Sequence, residues 1–200
     1  CASCAKVARF ASRQGLVGAE FLAGIPGTMG GALAMNAGAF GGETWNLVRA
    51  VQMVDRHGRL QRRTPGDFRI AYRSVQGPAD EWFVSAELQL QSGDVQASRA
   101  GIRELLARRG STQPTQQPSC GSVFRNPPGD HAARLIEAAG LKGRCVGGAC
   151  VSDKHANFIV NRGAATAADI EQLIQDVQAR VAAYSGVRLE PEGHIVGEPA

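Results

Sequence analysis

The feature that most constrains this chain is a glycine-rich segment without charge, GIPGTMGGALAMNAGAFGG, at residues 24–42. It contains seven glycines, and the residues between them are mostly apolar, whereas a solvated linker would carry Ser, Glu or Lys. A backbone of this composition is expected to be buried and to approach another group closely. Two interpretations remain open: a tightly packed turn, or a loop whose peptide N–H groups contact a cofactor.

The composition favours a small anionic ligand over a nucleic acid. The chain has 200 residues, enough for one large domain or two small ones, and its net charge of +4 is carried almost wholly by arginine. Arginine suits phosphate and carboxylate recognition. Because the arginines are scattered, they do not form the basic stripe expected of a nucleic-acid-binding protein. No apolar run is long enough to predict a membrane span.

The five cysteines are an odd number, which predicts free thiols in a reducing compartment rather than a disulfide framework. Cys1 and Cys4 have CxxC spacing, but no second pair with zinc spacing follows, so we expect no metal site. The chain begins at Cys1 without a methionine, and no signal peptide is visible. We therefore expect it to be a piece of a longer protein.

Hydrophobic periodicity predicts an α+β fold with a boundary in the polar, proline-bearing stretch 112–118. The first predicted helix, over residues 4–13, has Val7, Phe10 and Ala11 on one face. The remaining predicted elements are a hairpin over 47–64 with its turn at 56–58, a strand over 82–90, a helix over 97–109, a helix over 131–140, a strand over 155–161, and a helix that begins at a Thr166–Asp169 capping box and runs to 181.

The stretch PSCGSVFRNP, residues 118–127, predicts a serine displayed on a rigid loop. The two prolines exclude a helix, and Gly121 indicates either a positive φ or a close backbone approach. Ser122 has no GxSxG context, so we do not expect a nucleophilic triad. It can instead donate a proton, while Arg125 and Asn126 offer hydrogen-bond donors to an anion.

Two further residues have settings that suit chemistry on an anion. Arg73 follows Tyr72, a pair that suits an anion or a developing oxyanion, and Glu192 lies in LEPEGHI beyond Pro191. Each also has an ordinary structural explanation, as a surface ion pair or a solvated glutamate. The residues alone therefore predict only that the chain binds an anionic small molecule.

Six collinear segments carry a family resemblance across nearly all of the chain. The segments GAEFLAGIPGTMGGALAMNAGAFGGE, FRIAYRS, PSCGSVFRNP, LIEAAGLKG, GGACVSDKHANFIVN and LEPEGHIVGE resemble, in this order, the UDP-N-acetylenolpyruvoylglucosamine reductase (MurB) family. The short interval between Arg73 and Ser122 is similar to the family's compact type. The family's N-terminal lobe has no counterpart in this sequence.

The resemblance implies a monomeric bacterial flavoenzyme of peptidoglycan synthesis in the cytoplasm, without nucleic-acid or membrane partners. It implies FAD as cofactor, NADPH as reductant, and a UDP-sugar substrate whose enolpyruvyl ether is reduced to give UDP-N-acetylmuramate. It also implies that residues 1–95 are the second lobe of a FAD-binding domain. Residues 96–118 are then a connecting helix and linker, and residues 119–200 a substrate-binding domain.

The resemblance implies a role for particular residues. Ser122 is the expected proton donor, and Arg73 and Glu192 are expected to stabilise the enol intermediate. The flavin contacts expected from it are Ile25, Pro26, Gly30, Gly31, Asn36 and Gly38. We assign Tyr72, Arg125 and Asn126 to substrate binding.

The sequence departs from the family's pattern near two of these residues. Gly193 and His194 stand where the family usually has valine and arginine, and this puts an arginine contact to the substrate in doubt. Cys120 replaces a usual alanine, and we expect it to make the site sensitive to oxidation. The competing hypotheses are a non-catalytic flavin- or nucleotide-sugar-binding module, and another FAD-dependent oxidoreductase on the same scaffold.

Overall fold

A computed structural model describes residues 2–197 and divides the chain into two compact units, residues 1–109 and 110–200. Both units contain helices and antiparallel strands, so the predicted α+β class is confirmed. The division lies just before the polar stretch 112–118 in which we predicted the boundary, because helix α3, Val95–Thr112, continues to the start of that stretch. Cys1, half of the CxxC pair, lies outside the described residues.

The first unit is built around a three-stranded antiparallel sheet. Its central strand β4 lies between β5 and β8, and the hairpin β4–β5 confirms the predicted turn at 56–58. The elements of this unit before α3 are α1 Cys4–Arg13, β1 Leu16–Val17, α2 Met29–Ala34, β2 Gly38–Ala39, β3 Gly42–Glu43, β4 Val48–Asp55, β5 Leu60–Arg63, β6 Arg69–Ala71, β7 Ser74–Gln76, β8 Glu81–Leu88 and β9 Gln91–Ser92.

An aromatic cluster on the buried face of this sheet fixes the chain that follows the glycine-rich segment. Trp45 is 5% exposed, and its indole N–H donates to the carbonyl oxygen of Leu33 at 2.8 Å. The ring of Phe68 lies 4.7 Å from that of Trp45, and Phe83 packs against both. A buried indole with a satisfied N–H ties α2 to the sheet, which leaves the adjoining backbone little freedom.

Helix α1 is confirmed, but its predicted buried face is wrong at Phe10. The helix buries small residues, including Cys4, Ala8 and Ala11, and packs against the 3₁₀ turn Glu20–Gly24, whereas Phe10 is 58% exposed. Small side chains allow close packing of helix and turn, and the large ring of Phe10 has no space on that face.

The second unit contains one four-stranded antiparallel sheet, in the order β10-β13-β12-β11, with two helices. These elements are β10 Ser119–Ser122, α4 Ala132–Ala138, β11 Cys145–Val146, β12 Ala149–Val151, β13 Phe158–Asn161 and α5 Ala167–Ser185. The predicted capping box of α5 is confirmed, because Thr166 Oγ1 accepts from the amide of Asp169 at 3.1 Å and Asp169 Oδ2 accepts from that of Thr166 at 2.9 Å. The fully buried residues Leu173, Val177 and Val181 then recur every four positions along one face of the helix.

The prediction of free thiols is wrong for Cys145 and Cys150, which form a disulfide. The reason is the register of the β11–β12 hairpin, which places the two residues directly opposite each other with their Cα atoms 4.1 Å apart. Cys4 and Cys120 are free thiols, as expected. No helix in the described part of the chain is both long and apolar enough to cross a membrane.

Candidate active site

In the first unit, Arg73 occupies a strained position in the turn between β6 and β7. The hairpin pairs Ala71 with Ser74, so Tyr72 and Arg73 are its two turn residues, and Arg73 has a φ of 53°. A left-handed backbone at this turn position normally belongs to glycine or asparagine. A large side chain at such a backbone position indicates a functional role for that side chain.

The guanidinium of Arg73 is hydrogen-bonded to the glycine-rich segment. Its Nη2 donates to the carbonyl oxygen of Gly38 at 3.0 Å, and its Nη1 donates to that of Asn36 at 3.4 Å. The guanidinium carbon also lies 5.1 Å from the centre of the Tyr72 ring. Two backbone carbonyls and one aromatic face therefore orient this positive charge.

The glycines of the segment 24–42 differ in what a Cβ atom built on them would contact. A Cβ built on Gly38 would lie 2.6 Å from the carbonyl oxygen of Gly42 and 3.2 Å from Arg73 Nη1, so the protein's own atoms require glycine there. A Cβ on Gly30 or Gly31 would meet only Thr28 Oγ1, at 3.9 and 3.8 Å respectively. The packed-turn interpretation therefore explains Gly38, but it does not explain Gly30 or Gly31.

The predicted flavin contacts differ in their exposure to solvent. Ile25 and Asn36 are buried, and the side chain of Asn36 is hydrogen-bonded within the protein, so a flavin could reach only their backbones. Pro26 and Gly31 are exposed, while Gly30 and Gly38 are half-buried. A cavity of about 310 Å³ opens beside Gly30 and is lined mostly by apolar residues of α2 and β8.

In the second unit, Ser122 ends strand β10 and is displayed beside a rigid pair of core residues. Gly121 before it has a φ of 87° with open space where a Cβ would be, so its conformation rather than a close contact requires glycine. After it, Val123 and Phe124 are 3% and 2% exposed. Asn157 bonds to both backbone groups of Phe124, accepting from its N–H at 3.0 Å and donating to its carbonyl at 2.8 Å.

Pairing of distant parts of the chain brings the backbone of Glu192 opposite Val123, the residue that follows Ser122. The amide of Glu192 donates to the carbonyl of Val123 at 2.8 Å, and the amide of Arg125 donates to that of Glu190 at 2.8 Å. This antiparallel pairing centres on the bridge between Phe124 and Pro191. Glu190 is exposed and Glu192 is half-buried, so the two carboxylates of LEPEGHI have different surroundings.

The two residues that follow the serine loop retain donors for an anion. The Nε of Arg125 is one of two buried side-chain polar atoms in the described region without a hydrogen-bond partner. Asn126 uses its Oδ1 to accept from the amide of Ala132 at the start of α4, at 3.1 Å. That bond fixes the side chain and leaves its NH₂ group as the available donor.

The thiol of Cys120 has a raised pKa. The residue is exposed, but partial desolvation of the thiol, together with the nearby carboxylate of Glu192, raises the pKa of Cys120. A raised pKa lowers the fraction of reactive thiolate at neutral pH. The oxidation sensitivity expected of this residue stays a prediction.

His155 is a titratable residue near Ser122 that the sequence analysis did not single out. Its ring centre lies 4.8 Å from that of Phe158, the residue paired with Ser122, and its Nδ1 accepts from the amide of Asn157 at 3.3 Å. Burial lowers the pKa of His155, as does the positive charge of Lys142, while Glu137 acts in the opposite direction. Nothing in SDKHANF distinguished this histidine from a surface residue, because its burial depends on the β10–β13 pairing.

No group of three or more His, Cys, Asp or Glu side chains within residues 2–197 could hold a metal ion. A cleft of about 500 Å³ in the second unit is lined by residues of the 110–117 segment and by Ser152, Asp153, Lys154 and Arg162. It contains none of the predicted site residues.

The amino-acid sequence matches two family models, which define the class of protein. Residues 2–64 match a model described as a FAD binding domain, and residues 113–196 match one described as the C-terminal domain of UDP-N-acetylenolpyruvoylglucosamine reductase. The crystal structure of UDP-N-acetylenolpyruvylglucosamine reductase from Thermus caldophilus superposes with a TM-score of 0.86 at 35% sequence identity, covering 96% of this chain and 68% of that one.

Curated relatives are more similar in sequence. UDP-N-acetylenolpyruvoylglucosamine reductase of Alkalilimnicola ehrlichii is 66% identical over 98% of this chain, and that of Methylococcus capsulatus is 69% identical over 98%. The chain belongs to the UDP-N-acetylenolpyruvoylglucosamine reductase family, as its motifs predicted. It spans 66% and 64% of the lengths of these two relatives, somewhat less than two thirds.

Proposed function

We propose that this protein is an NADPH- and FAD-dependent reductase that converts the enolpyruvyl ether of UDP-N-acetylglucosamine to the lactyl ether of UDP-N-acetylmuramate. The observation that carries the proposal is the pairing of residues 190–192 with 123–125. Through it the backbone of Glu192 is hydrogen-bonded to Val123, which directly follows Ser122, although Ser122 and Glu192 are 70 residues apart in sequence. A proton donor beside a group that stabilises an enol is what reduction of an enol ether requires.

The glycine-rich segment fits FAD. Gly30 and Gly31 have room for side chains that this unit's own packing would tolerate, and the cavity beside Gly30 is largely apolar. Glycine at such positions lets a flat or charged group approach the backbone closely. Bound FAD would supply the two-electron reduction, with NADPH as the source of electrons.

The residues of this chain would supply charge stabilisation and a proton. Arg73 is assigned to the substrate carboxylate and to the charge that develops on it, a contact commonly worth about 3 kcal/mol in the transition state. Ser122 donates a proton to the α-carbon, a step that contributes roughly 10²–10⁴-fold. Glu192 forms a hydrogen bond with the enol. The hydroxyl of Ser122 is a proton donor in this mechanism and forms no covalent bond to substrate.

The substrate's charges would be held by groups that retain free donors. The buried Nε of Arg125 and the NH₂ of Asn126 suit phosphate or carboxylate oxygens. Tyr72 packs against Arg73 and is assigned to substrate binding together with it. In a bacterium this activity belongs to peptidoglycan precursor synthesis in the cytoplasm, and we propose that the protein acts there as a monomer.

The test is a pair of half-reactions followed by visible absorption, in a full-length protein carrying this sequence. NADPH should bleach the flavin band, and anaerobic addition of the enolpyruvyl UDP-sugar should restore it. Ser122→Ala should bleach normally but recover about 10²–10⁴-fold more slowly. Ser119→Ala, on the same strand and exposed, is the matched control and should behave as wild type.

Three results would contradict the proposal. Loss of both half-reactions in Ser122→Ala would make the serine structural. A wild-type band that bleaches but does not return would identify another FAD-dependent oxidoreductase. A bound flavin that NADPH does not reduce would favour the non-catalytic binding module.

A further inference from the structure

The side chain of Asn36 is wholly occupied by bonds within the first unit. Asn36 is 1% exposed and has a φ of 46°. One of its amide hydrogens is donated to Glu43 Oε2 at 2.9 Å and the other to the carbonyl oxygen of Ala71 at 3.2 Å. Its Oδ1 accepts from the amide of Trp45 at 3.2 Å. A buried carboxamide with both donors and its acceptor satisfied is a rigid connector.

These bonds join the two segments that hold Arg73. Ala71 directly precedes the turn that carries Arg73, so the bond from Asn36 fixes the base of that side chain. The carbonyls of Asn36 and Gly38 accept from the guanidinium and fix its end. Asn36 therefore contacts both the residue before the turn that carries Arg73 and, through its carbonyl oxygen, the guanidinium of Arg73.

Glu43 determines the orientation of the Asn36 carboxamide. It is the first charged residue after the uncharged segment 24–42, it is half-buried, and its carboxylate accepts a strong, charge-assisted hydrogen bond. Its Cγ lies 3.3 Å from the point that a Cβ on Gly38 would occupy, so it also packs against the carbonyl-bearing segment. Without this acceptor, one donor of a buried amide would have no partner.

We propose that Asn36 and Glu43 form a bracket that positions Arg73, and that Glu43 is a positioning residue rather than a ligand of the flavin or the substrate. The kinetic part of this proposal rests on the proposed function, whereas the structural part concerns only the placement of the Arg73 guanidinium. The active arrangement would then depend on a carboxylate that touches no reacting atom. Misplacement of a catalytic group by about 1 Å can cost on the order of 10²-fold in rate.

The structural part is tested by NMR on a full-length protein labelled with ¹⁵N-arginine, with the Arg73 guanidinium signal assigned by its loss in Arg73→Lys. Glu43→Gln keeps an acceptor oxygen and should leave the Arg73 signal near its wild-type position. Glu43→Ala removes the acceptor and should shift or broaden it. Glu87→Ala is the control, because that glutamate forms an exposed ion pair with Arg62 elsewhere in the unit.

The kinetic part separates positioning from general stability. Glu43→Ala should slow the return of the flavin band with substrate by about 10- to 100-fold while changing NADPH-driven bleaching little, and Glu43→Gln should recover most of the loss. In an Arg73→Ala background, Glu43→Ala should cost nothing further, since a residue that acts through another is not additive with it.

The outcomes distinguish this proposal from the proposed function. An Arg73 signal unchanged in Glu43→Ala overturns the bracket, as does equal loss of both half-reactions with a lowered melting temperature. A signal that shifts in Glu43→Ala, in a protein whose wild type does not reduce the UDP-sugar, supports the bracket and contradicts the proposed function.

Discussion

In the first unit Arg73 lies at a left-handed backbone position, whereas in the second unit such positions are occupied by glycine. The four non-glycine residues with positive φ in the described chain are Asn36, Phe40, Arg73 and Asp80, all before residue 110. In the second unit the positive φ before Ser122 belongs to Gly121, so the candidate proton donor itself is not at a left-handed position. The backbone strain of the first unit therefore lies in a candidate catalytic residue, whereas in the second unit it lies in the glycine beside one.

This difference predicts that glycine substitutions will have unequal effects in the two units. Gly38→Ala would place a methyl group 2.6 Å from a backbone oxygen and should destabilise the protein by about 3 kcal/mol. Gly121→Ala meets no atom within 4 Å and should cost only the left-handed conformation, about 1 kcal/mol. Denaturant unfolding measures both, and equal losses would remove the distinction between close approach and backbone conformation.

A second prediction concerns the strain at Arg73 itself. Arg73→Ala and Arg73→Gly both lose the guanidinium and its bonds to the carbonyls of Asn36 and Gly38. Only the glycine variant relieves the left-handed backbone, so it should be more stable than the alanine variant by about 1 kcal/mol. The melting temperatures of the two variants provide the measurement. If alanine proves equal or better, Arg73 is not strained and the comparison between the units fails.

The same difference explains how much of the site the sequence could predict. Around Ser122 the predicted loop is wrong, because Ser119–Ser122 form strand β10 by pairing with β13, which is distant in sequence. The positive φ of Gly121 was predictable from its residue type. The φ of Arg73 was not, because no local rule assigns arginine to a left-handed turn position. Its strain is offset by bonds to the carbonyl oxygens of Gly38 and Asn36, which lie 35 and 37 residues away in sequence.

The fold shows the same division between local and distant information. The α5 capping box, the β4–β5 hairpin and the α1 helix follow from patterns within a few residues, and all three are confirmed. The Cys145–Cys150 disulfide and the exposure of Phe10 were predicted wrongly, because they depend on hairpin register and on which partner a helix face meets. The pairing of Glu192 beside Ser122 joins residues 70 apart, so only the family resemblance could indicate it.

In the second unit, half-burial of His155 predicts a response to mild acid. Burial lowers the pKa of this imidazole from its usual 6.5, so the unfolded chain binds its proton more readily than the folded one. Stability should therefore fall as the pH decreases from about 6.5 through the lower folded value, and His155→Gln should flatten this dependence. Unfolding free energies between pH 8 and 5 test it. Coincident profiles for the two proteins would mean that His155 is solvated.

The smallest effect is expected at the start of α4, where a partly exposed ion pair between Arg134 and Asp130 joins the helix to the loop after Asn126. Hydrogen bonds from Arg134, and then the amide of His131, lower the pKa of Asp130 from its usual 3.8 to about 2. The carboxylate's contribution is complete above pH 3.8 and is lost as the pH falls through about 2. Exposed pairs contribute little, so Asp130→Asn should change stability at neutral pH only slightly but remove part of the acid dependence.

Arg134→Gln should remove the same part, because it deletes the partner that lowers the pKa of Asp130. If the two variants differ in acid, the amide of His131 and not Arg134 is the main support of the carboxylate.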